Sequence, residues 1–242
     1  MKTVIIIPAR MASKRFPDKP MALIDNVPMI QMVWEKAIKS KIGETYVACS
    51  EKEVFSCIDN LGGKAILTDP SLPSGTDRVF EAFKKIENFE IYDSIINLQG
   101  DMPLVSPDHI KKVNEPLLNG FEIGTLATDL SLEQEKNVNI TKVKIDWHGD
   151  KKVGKASDFY KIPRHNINQV YQHVGIYSFK VESLKKFVSF PQSKNELKFN
   201  LEQWRAIDSG ITIGAIYTNN VPISVDTKDD LKQIESIIKI AE

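Results

Sequence analysis

Cysteine is scarce in this sequence, with only Cys49 and Cys57 among 242 residues. Their spacing matches no metal-binding motif, and two cysteines in a chain of this length do not make a disulfide scaffold. We therefore expect two reduced thiols in the protein core.

A surplus of charge of one sign is also missing, since 32 basic residues are balanced by 32 acidic residues. A general nucleic-acid-binding protein usually carries a basic surplus or stripe, so we expect no nucleic-acid partner. A local basic pocket for a small anion is still compatible with this balance.

Long apolar runs are absent as well, because the first run, within Thr3–Ile7, stops at Pro8. No run is long enough for a signal peptide or a membrane span, so we expect a cytoplasmic protein that does not bind a membrane. The P-loop motif of many nucleotide-binding proteins and the H-E-x-x-H motif of zinc enzymes are also missing.

The sequence does contain an alternation of strand-like and helix-like segments. Thr3–Ile7 and Asp93–Leu98 are apolar runs typical of strands buried on both faces, whereas Pro28–Ser40 has apolar residues at helical spacing. This alternation predicts a three-layer α/β fold. The length suits one domain over residues 1–242, with a lobe or dimerisation arm within about residues 130–210, where the pattern is less regular.

The loop after the first strand carries four cations, Arg10, Lys14, Arg15 and Lys19. Ligands of open α/β sheets bind beyond the carboxyl ends of the strands, and arginine can bind phosphate oxygens through two N–H groups. A polyphosphate site and a solvated basic loop explain this spacing equally well.

A second candidate site is the segment Ser74-Gly75-Thr76-Asp77-Arg78, which opens a predicted helix. The backbone N–H groups at a helix start, together with the side chains of Ser74, Thr76 and Arg78, suit a nucleotide base or a phosphate. An ordinary helix N-cap is an equally good interpretation of this segment.

Two carboxylates follow apolar segments and are candidates for binding Mg²⁺. Asp101 comes directly after a buried strand, where Gly100 allows close approach, and Asp226 follows a second apolar segment. Carboxylate oxygens beside nucleotide phosphates are ligands that Mg²⁺ accepts. For Asp226 the pattern alone favours a simpler role, because Asp226 or Thr227 can cap the final helix.

A lone histidine, His173, lies inside the apolar stretch Val170–Phe179. Such a residue is more often a hydrogen-bonded core side chain than a ligand. Trp34 and Trp204 lie on apolar helical faces, so we expect them in the core as well.

Short motifs follow one another over nearly the whole chain, at Ile6–Pro20, Ser74–Arg78, Asn97–Pro103, Asn137–Val143, His173–Tyr177, Leu201–Arg205 and Val225–Leu231. Each motif is weak alone, and the ordered set is strong. Taken in order, they resemble the motifs of the 3-deoxy-manno-octulosonate cytidylyltransferase family, also called the CMP-KDO synthetases.

The resemblance implies a Rossmann-like mixed sheet of the nucleotide-diphospho-sugar transferase type, usually in a homodimer. It implies transfer of CMP from CTP to the eight-carbon sugar acid KDO, with release of pyrophosphate, for lipopolysaccharide synthesis. Lys19, Asp101 and Asp226 would be catalytic, with Mg²⁺ on the two carboxylates. The resemblance assigns Arg10, Arg15, Lys19, Ser74, Thr76, Arg78 and Gln99 to CTP, and His173, Glu202 and Gln203 to the sugar.

The sequence departs from the family on the sugar side. Asp158 stands where the family has arginine, one residue is inserted nearby, and Phe199 replaces a common glutamate. We favour a shifted loop in which Asp158 faces solvent and Arg164 or Lys161 supplies the cation for the sugar. In the alternative, Asp158 pairs with an amino group of an altered substrate.

Two other functions follow from these departures. One is a cytidylyltransferase for another acidic sugar, such as amino-KDO or a nonulosonate. The other is a CTP-binding protein without transfer activity, although such a protein has less need of two metal-binding carboxylates.

Overall fold

The structure, a computed structural model, describes residues 1–12, 16–149, 152–163 and 169–241. The predicted site residues Lys14, Arg15 and Arg164 lie outside these ranges. The chain divides into two compact units, the first formed by Met1–Ile110 and Pro222–Glu242 and the second by Lys111–Val221. The lobe predicted within about residues 130–210 falls in the second unit, and its role stays a prediction.

Strands and helices alternate through much of the described chain, which confirms the predicted α/β class. The strands are β1 (Thr3–Ala9), β2 (Leu23–Ile24), β3 (Val27–Pro28), β4 (Gly43–Cys49), β5 (Lys64–Leu67), β6 (Ser94–Asn97), β7 (Ile123–Thr128), β8 (Lys142–His148), β9 (Val153–Tyr160), β10 (Val170–Lys180) and β11 (Ile213–Tyr217). The helices are α1 (Met29–Ser40), α2 (Lys52–Asp59), α3 (Gly75–Lys84), α4 (Pro107–Lys112), α5 (Glu115–Leu118), α6 (Leu132–Lys136), α7 (Val181–Ser189), α8 (Lys194–Phe199), α9 (Gln203–Asp208) and α10 (Lys228–Ala241), with 3-10 turns at Lys19–Met21 and Phe89–Ile91.

The first unit is built on four parallel strands in the order β5-β4-β1-β6. Every residue from Val4 to Ile7 in β1 is fully buried, as expected for a central strand covered on both faces. Because the strands are parallel, β1 and β6 end at the same edge of the sheet. The segments that follow them, beginning at Arg10 and at Leu98, therefore meet at that edge.

A small hairpin of β2 and β3 packs against the final helix, α10. Its turn residues, Asp25 and Asn26, have φ angles of 47° and 62°, which is the left-handed backbone that a tight two-residue hairpin turn requires. Apolar side chains of the hairpin pack against α10 and the segment before it. The buried members of this cluster are Phe16, Ile24, Met29, Val225 and Ile234.

The second unit contains a mixed sheet in the order β10-β7-β11-β9-β8. Strands β7 and β11 are parallel, and the other pairs are antiparallel. Strand β10 also pairs with β8 through Val170–Gln172, so the strand pairings of this unit close on themselves.

Two segments differ from the sequence prediction. The helical pattern of Pro107–Leu118 predicts one helix, but α4 and α5 are separate. Pro116 lacks an N–H group, and in a continuous helix its ring would clash with the carbonyl of Lys112. The polar stretch between β8 and β10 contains β9, whose burial alternates too irregularly to give a strand signal in the sequence.

The remaining expectations concern thiols and membranes. Both cysteines are free, with Cys49 buried and Cys57 half-buried. No helix in the described ranges has the length and apolar character that crossing a membrane requires.

Candidate functional site

Three residues that the sequence predicts as catalytic converge in the first unit. The Lys19 ammonium donates a hydrogen bond to Asp101 Oδ2 at 2.7 Å and lies 3.7 Å from Asp226 Oδ1. It also donates to the main-chain carbonyl of Val225 at 2.9 Å. One cation therefore links the segment after β1, the end of β6 and the segment before α10.

The backbone holds the two carboxylates close to each other. The Val225 N–H group donates to the main-chain carbonyl of Asp101 at 2.8 Å. A Cβ atom at Gly100 would lie 2.9 Å from the Pro8 carbonyl oxygen, so a side chain here would push β1 and the β6 loop apart. The predicted role of Gly100 in close approach agrees with this geometry.

The cap of α10 separates the two interpretations of Asp226. Thr227 Oγ1 accepts from the Asp230 N–H group at 3.2 Å, and Asp230 Oδ2 accepts from the Thr227 N–H group at 2.7 Å. Thr227 and Asp230 thus cap the helix reciprocally. The Asp226 carboxylate lies 3.7 Å from the Lys19 ammonium, and the cap that the pattern predicts for Asp226 or Thr227 is made by Thr227.

The chemistry of this pair fits Mg²⁺. Two carboxylates already share one cation, Lys19, and both keep exposed surface, 25% for Asp101 and 43% for Asp226. Within the described ranges, no group of three or more histidine, cysteine, aspartate or glutamate side chains could hold a metal ion. A pair suffices for Mg²⁺, which commonly binds one or two carboxylates together with water and substrate phosphates.

The start of α3 lies in the same unit and carries a polar network. Ser74 caps the helix, since its hydroxyl accepts from the Asp77 N–H group at 3.2 Å. The Asn97 side chain donates to the Thr76 hydroxyl at 3.3 Å and accepts from Gln99 Nε2 at 2.9 Å. The predicted cap is confirmed, and the side chain of Asn97, the first residue of the Asn97–Pro103 motif, joins Thr76 to Gln99.

Arg78 is a buried cation in the same helix, with only 1% of its surface exposed. Its Nη1 atom donates to the Thr68 hydroxyl, whereas its Nη2 atom is buried without a hydrogen-bond partner among the described residues. Burial lowers the pKa of Arg78, Glu51 opposes this effect, and the like charge of Arg10 lowers the pKa further. An anion placed beside Arg10 and Arg78 would relieve both the repulsion and the unpaired N–H group.

The residues predicted for the sugar lie in the second unit. His173 is buried, and its Nε2 atom is 2.9 Å from the Thr125 hydroxyl. The rings of His173 and Tyr177 are 5.5 Å apart, and the Tyr177 hydroxyl accepts from Gln203 Nε2. Glu202 is half-buried just before α9. The core interpretation of His173 is consistent with these contacts, and its sugar-binding role stays a prediction.

A buried ion pair holds α8 against α9. Arg205 binds the Glu196 carboxylate through two hydrogen bonds of 2.8 and 2.6 Å, and each side chain is only 3% exposed. The Arg205 guanidinium also lies 4.6 Å from the centre of the Phe187 ring. Because Gln203 and Arg205 share α9, the ion pair also fixes the position of Gln203.

Asp158 lies in strand β9 rather than in a loop, so the predicted loop conformation is wrong. It is half-buried and pairs with Lys144 of β8. The next pair joins Ile145 to Ala156, which leaves Ser157 as an extra residue in a bulge. A bulge accommodates one extra residue in a strand, so a one-residue insertion fits within β9.

Lys142 is a buried cation whose structural role the sequence did not predict. Lys142 is fully buried, and its ammonium donates to the main-chain carbonyls of Asn137 and Lys161 at 2.5 and 2.8 Å. Burial lowers the pKa of Lys142. The only signal in the sequence is a lysine at the start of an apolar strand, and such a signal does not identify its partners.

Comparison with known proteins adds independent information. The cytidylyltransferase family profile matches residues 4–213. The 3-deoxy-manno-octulosonate cytidylyltransferase of Paramagnetospirillum magneticum is 40% identical over 240 residues, covering 98% of this chain and 97% of that protein. The protein with the same name from Rickettsia typhi is 41% identical over 233 residues, covering 95% and 94% of the two chains.

Solved structures agree with these relatives. A CMP:2-keto-3-deoxy-manno-octonic acid synthetase complexed with CTP is similar over 100% of both chains, with a TM-score of 0.89 and 31% identity. A cytidylyltransferase from Leptospira borgpetersenii has a TM-score of 0.64 at 18% identity, covering 99% of this chain and 87% of that one, and supports the fold alone. The predicted Rossmann-like nucleotidyltransferase fold is confirmed.

Proposed function

The chain belongs to the 3-deoxy-manno-octulosonate cytidylyltransferase family, and we propose that it transfers CMP from CTP to KDO, using the residues gathered at the end of β1 and β6 for the nucleotide. The observation that carries the proposal is the meeting of Asp101 and Asp226 at one ammonium, Lys19, in the unit that also contains the buried Arg78.

The nucleotide side of the proposal follows from charge. CTP carries several negative charges, and this unit offers Arg10, Lys19 and Arg78. Arg78 has a buried N–H group that no described residue accepts, which makes it a strong donor for a nucleotide oxygen. The hydroxyl of Thr76 and the amide of Gln99 supply neutral polar groups for the cytidine.

In the transfer, the oxygen of a sugar hydroxyl attacks the α-phosphorus of CTP and loses its proton to solvent. The bond between the α-phosphorus and the pyrophosphate oxygen breaks. Both reactants are anions, so cations must reduce their repulsion and stabilise the leaving group. Lys19 and Arg78 supply such charge from the protein. Mg²⁺, when held by Asp101 and Asp226, would supply further charge that polarises the phosphate oxygens.

The sugar side is assigned to the second unit, with His173, Glu202 and Gln203 as its proposed ligands. These residues offer hydrogen-bonding groups to a polyhydroxylated sugar. The half-buried Asp158 is the observation that favours a second candidate, an amino-substituted acidic sugar, since a carboxylate attracts an ammonium and repels the acid group of KDO. Arg164 stays a predicted sugar ligand outside the described residues. A homodimer and a cytoplasmic location also belong to the proposal.

We expect pyrophosphate release to require CTP, KDO and Mg²⁺ together. The kcat/KM for UTP should be at least about tenfold lower than for CTP, because uracil lacks the exocyclic amine that a cytosine site accepts. A continuous pyrophosphate assay with KDO, amino-KDO and a nonulosonate would measure this.

The same assay separates the alternatives. Pyrophosphate release only with amino-KDO or the nonulosonate would identify that sugar, and not KDO, as the substrate. CTP binding without release for any sugar would indicate a binding protein, and equal use of UTP would contradict the cytidine site.

Replacing Lys19 by methionine should lower kcat on the order of 10²-fold, with a smaller change in the KM for CTP. The substitution removes a cation that lies between two carboxylates, and such charge matters most in the transition state. Lys64→Met is a matched control, because Lys64 forms an exposed ion pair with Glu44 in the same unit. A rise in KM with unchanged kcat would restrict Lys19 to substrate binding.

A further inference from the structure

Strand β10 contains a bulge beside a predicted sugar ligand. His173 pairs with Ala127 of β7 and Val174 pairs with Leu126, but the next pair joins Tyr177 to Thr125. The two residues between, Gly175 and Ile176, have no partner in β7. Such irregularities re-aim side chains and occur often beside functional sites.

The Thr125 hydroxyl lies at the centre of this bulge and is fully buried. Its oxygen is 2.9 Å from the Ile176 carbonyl oxygen, 3.2 Å from the Val174 carbonyl oxygen and 2.9 Å from His173 Nε2. The hydroxyl thus bridges both sides of the bulge and the imidazole ring.

The hydrogen-bonding capacity of the hydroxyl determines the tautomer of His173. A hydroxyl has one hydrogen to donate, and carbonyl oxygens only accept. If the hydrogen pointed at His173, both carbonyl oxygens would face lone pairs of the hydroxyl at hydrogen-bonding distance. The favourable arrangement has the hydroxyl donating its hydrogen on the carbonyl side, where the Ile176 oxygen is the closer acceptor, and accepting from the Nε2–H group of His173.

The ring is neutral at neutral pH, since burial lowers the pKa of His173 to about 3. A neutral imidazole carries one proton, and here Nε2 carries it. Nδ1 is therefore a hydrogen-bond acceptor and is the ring nitrogen that remains for a ligand.

The surroundings contain a second acceptor. Gln203 donates its Nε2 to the Tyr177 hydroxyl, whereas its Oε1 is buried and has no hydrogen-bond partner among the described residues. The rings of Tyr177 and His173 are 5.5 Å apart, so both acceptors belong to one cluster. A ligand rich in hydroxyl groups would satisfy these acceptors, whereas a carboxylate would not.

We propose that Thr125 is a positioning residue for the sugar substrate, because it holds His173 as the Nε2–H tautomer and leaves Nδ1 to accept a hydrogen bond from a sugar hydroxyl. The proposal rests on the proposed function, which supplies the sugar. It makes His173 a neutral acceptor for the substrate and not an acid or a base in the transfer.

The tautomer can be measured directly with ¹⁵N-histidine-labelled protein and long-range ¹H–¹⁵N NMR. The chain has four histidines, so a His173→Gln variant assigns the signals of His173. The wild type should show a protonated Nε2 and an unprotonated Nδ1. An Nδ1–H ring in the folded wild type overturns the proposal whatever the variants do.

Thr125→Val removes the hydroxyl at similar volume, and Thr125→Ser keeps it. Thr125→Val should shift the tautomer signals and raise the KM for KDO about tenfold, which is the usual cost of one lost hydrogen bond. The KM for CTP should stay unchanged. Thr125→Ser should restore both readouts, and a general packing defect in Thr125→Val would raise the KM without changing the tautomer. An unchanged KM for KDO in a folded Thr125→Val protein overturns the proposal.

Failure of the proposed function gives a different result. A wild type that releases no pyrophosphate with CTP and KDO removes the proposed function and, with it, the sugar as ligand. A wild type that transfers CMP but has the wrong tautomer, or whose Thr125→Val variant keeps the normal KM, overturns only the role of Thr125.

Discussion

Asp101→Asn and Asp226→Asn should each lower kcat by about 10²-fold or more, with the fold intact. Each substitution keeps the shape of the side chain and removes one of the two negative charges that would hold Mg²⁺ beside the phosphates. Each should also raise the Mg²⁺ concentration needed for half-maximal pyrophosphate release. Steady-state assays over a Mg²⁺ titration would measure both effects.

The helix cap provides the matched control. Asp230→Asn removes a negative charge of the same kind but keeps a side-chain oxygen that can accept from the Thr227 N–H group, so we expect a small loss of stability with turnover retained. The opposite pattern, with normal turnover in Asp226→Asn and lost turnover in Asp230→Asn, would assign the effect to helix α10 and not to a metal site.

Arg205→Met should destabilise the protein by about 3–5 kcal/mol, because it leaves the Glu196 carboxylate buried without its cation. The double variant Arg205→Met with Glu196→Leu removes both charges and should recover most of the loss. Urea unfolding followed by tryptophan fluorescence and circular dichroism would measure the difference. A single variant as stable as the wild type would show that the pair contributes little.

The pH dependence gives a second readout of the same pair. Burial alone would raise the pKa of Glu196, but the hydrogen bonds and charge of Arg205 outweigh it, and the pKa lies below its ordinary value of 4.5. The pair therefore stabilises the wild type above pH 4.5, and this contribution is lost as the pH falls through the lowered pKa. The deficit of Arg205→Met should shrink in acid, where the lone carboxylate takes up a proton.

The candidate nucleotide site was largely predictable from the sequence. Asp101 follows a buried strand, and the ends of parallel strands share one edge of a sheet, so its approach to Lys19 after β1 follows from general rules. The approach of Asp226 was supported by resemblance rather than pattern, because the pattern favoured a cap. In the structure, hydrogen bonds between Thr227 and Asp230 form the cap, and the Asp226 carboxylate lies 3.7 Å from the Lys19 ammonium.

The second unit was less predictable because its contacts depend on strand bulges and main-chain carbonyl groups. Thr125 reaches a bulge in β10, and Lys142 reaches a carbonyl at the end of β9. Hydrophobic periodicity records which face of an element is buried and does not identify such hydrogen-bond partners. Strand β9 itself was hidden because its bulge at Ser157 interrupts the alternation.

The unit that carries the nucleotide site is assembled from two separate stretches of chain, Met1–Ile110 and Pro222–Glu242. During translation, Lys19 and Asp101 leave the ribosome before any residue of the second unit, and Asp226 leaves only after all of it. Because domains fold as their residues emerge, at roughly 5–20 residues per second, the second unit can fold while the first still waits for α10. Until then Ile24 and Met29 lack their partners Val225 and Ile234. A nascent chain therefore has apolar surface for chaperones to bind, and it gains its second carboxylate only after the whole second unit has emerged.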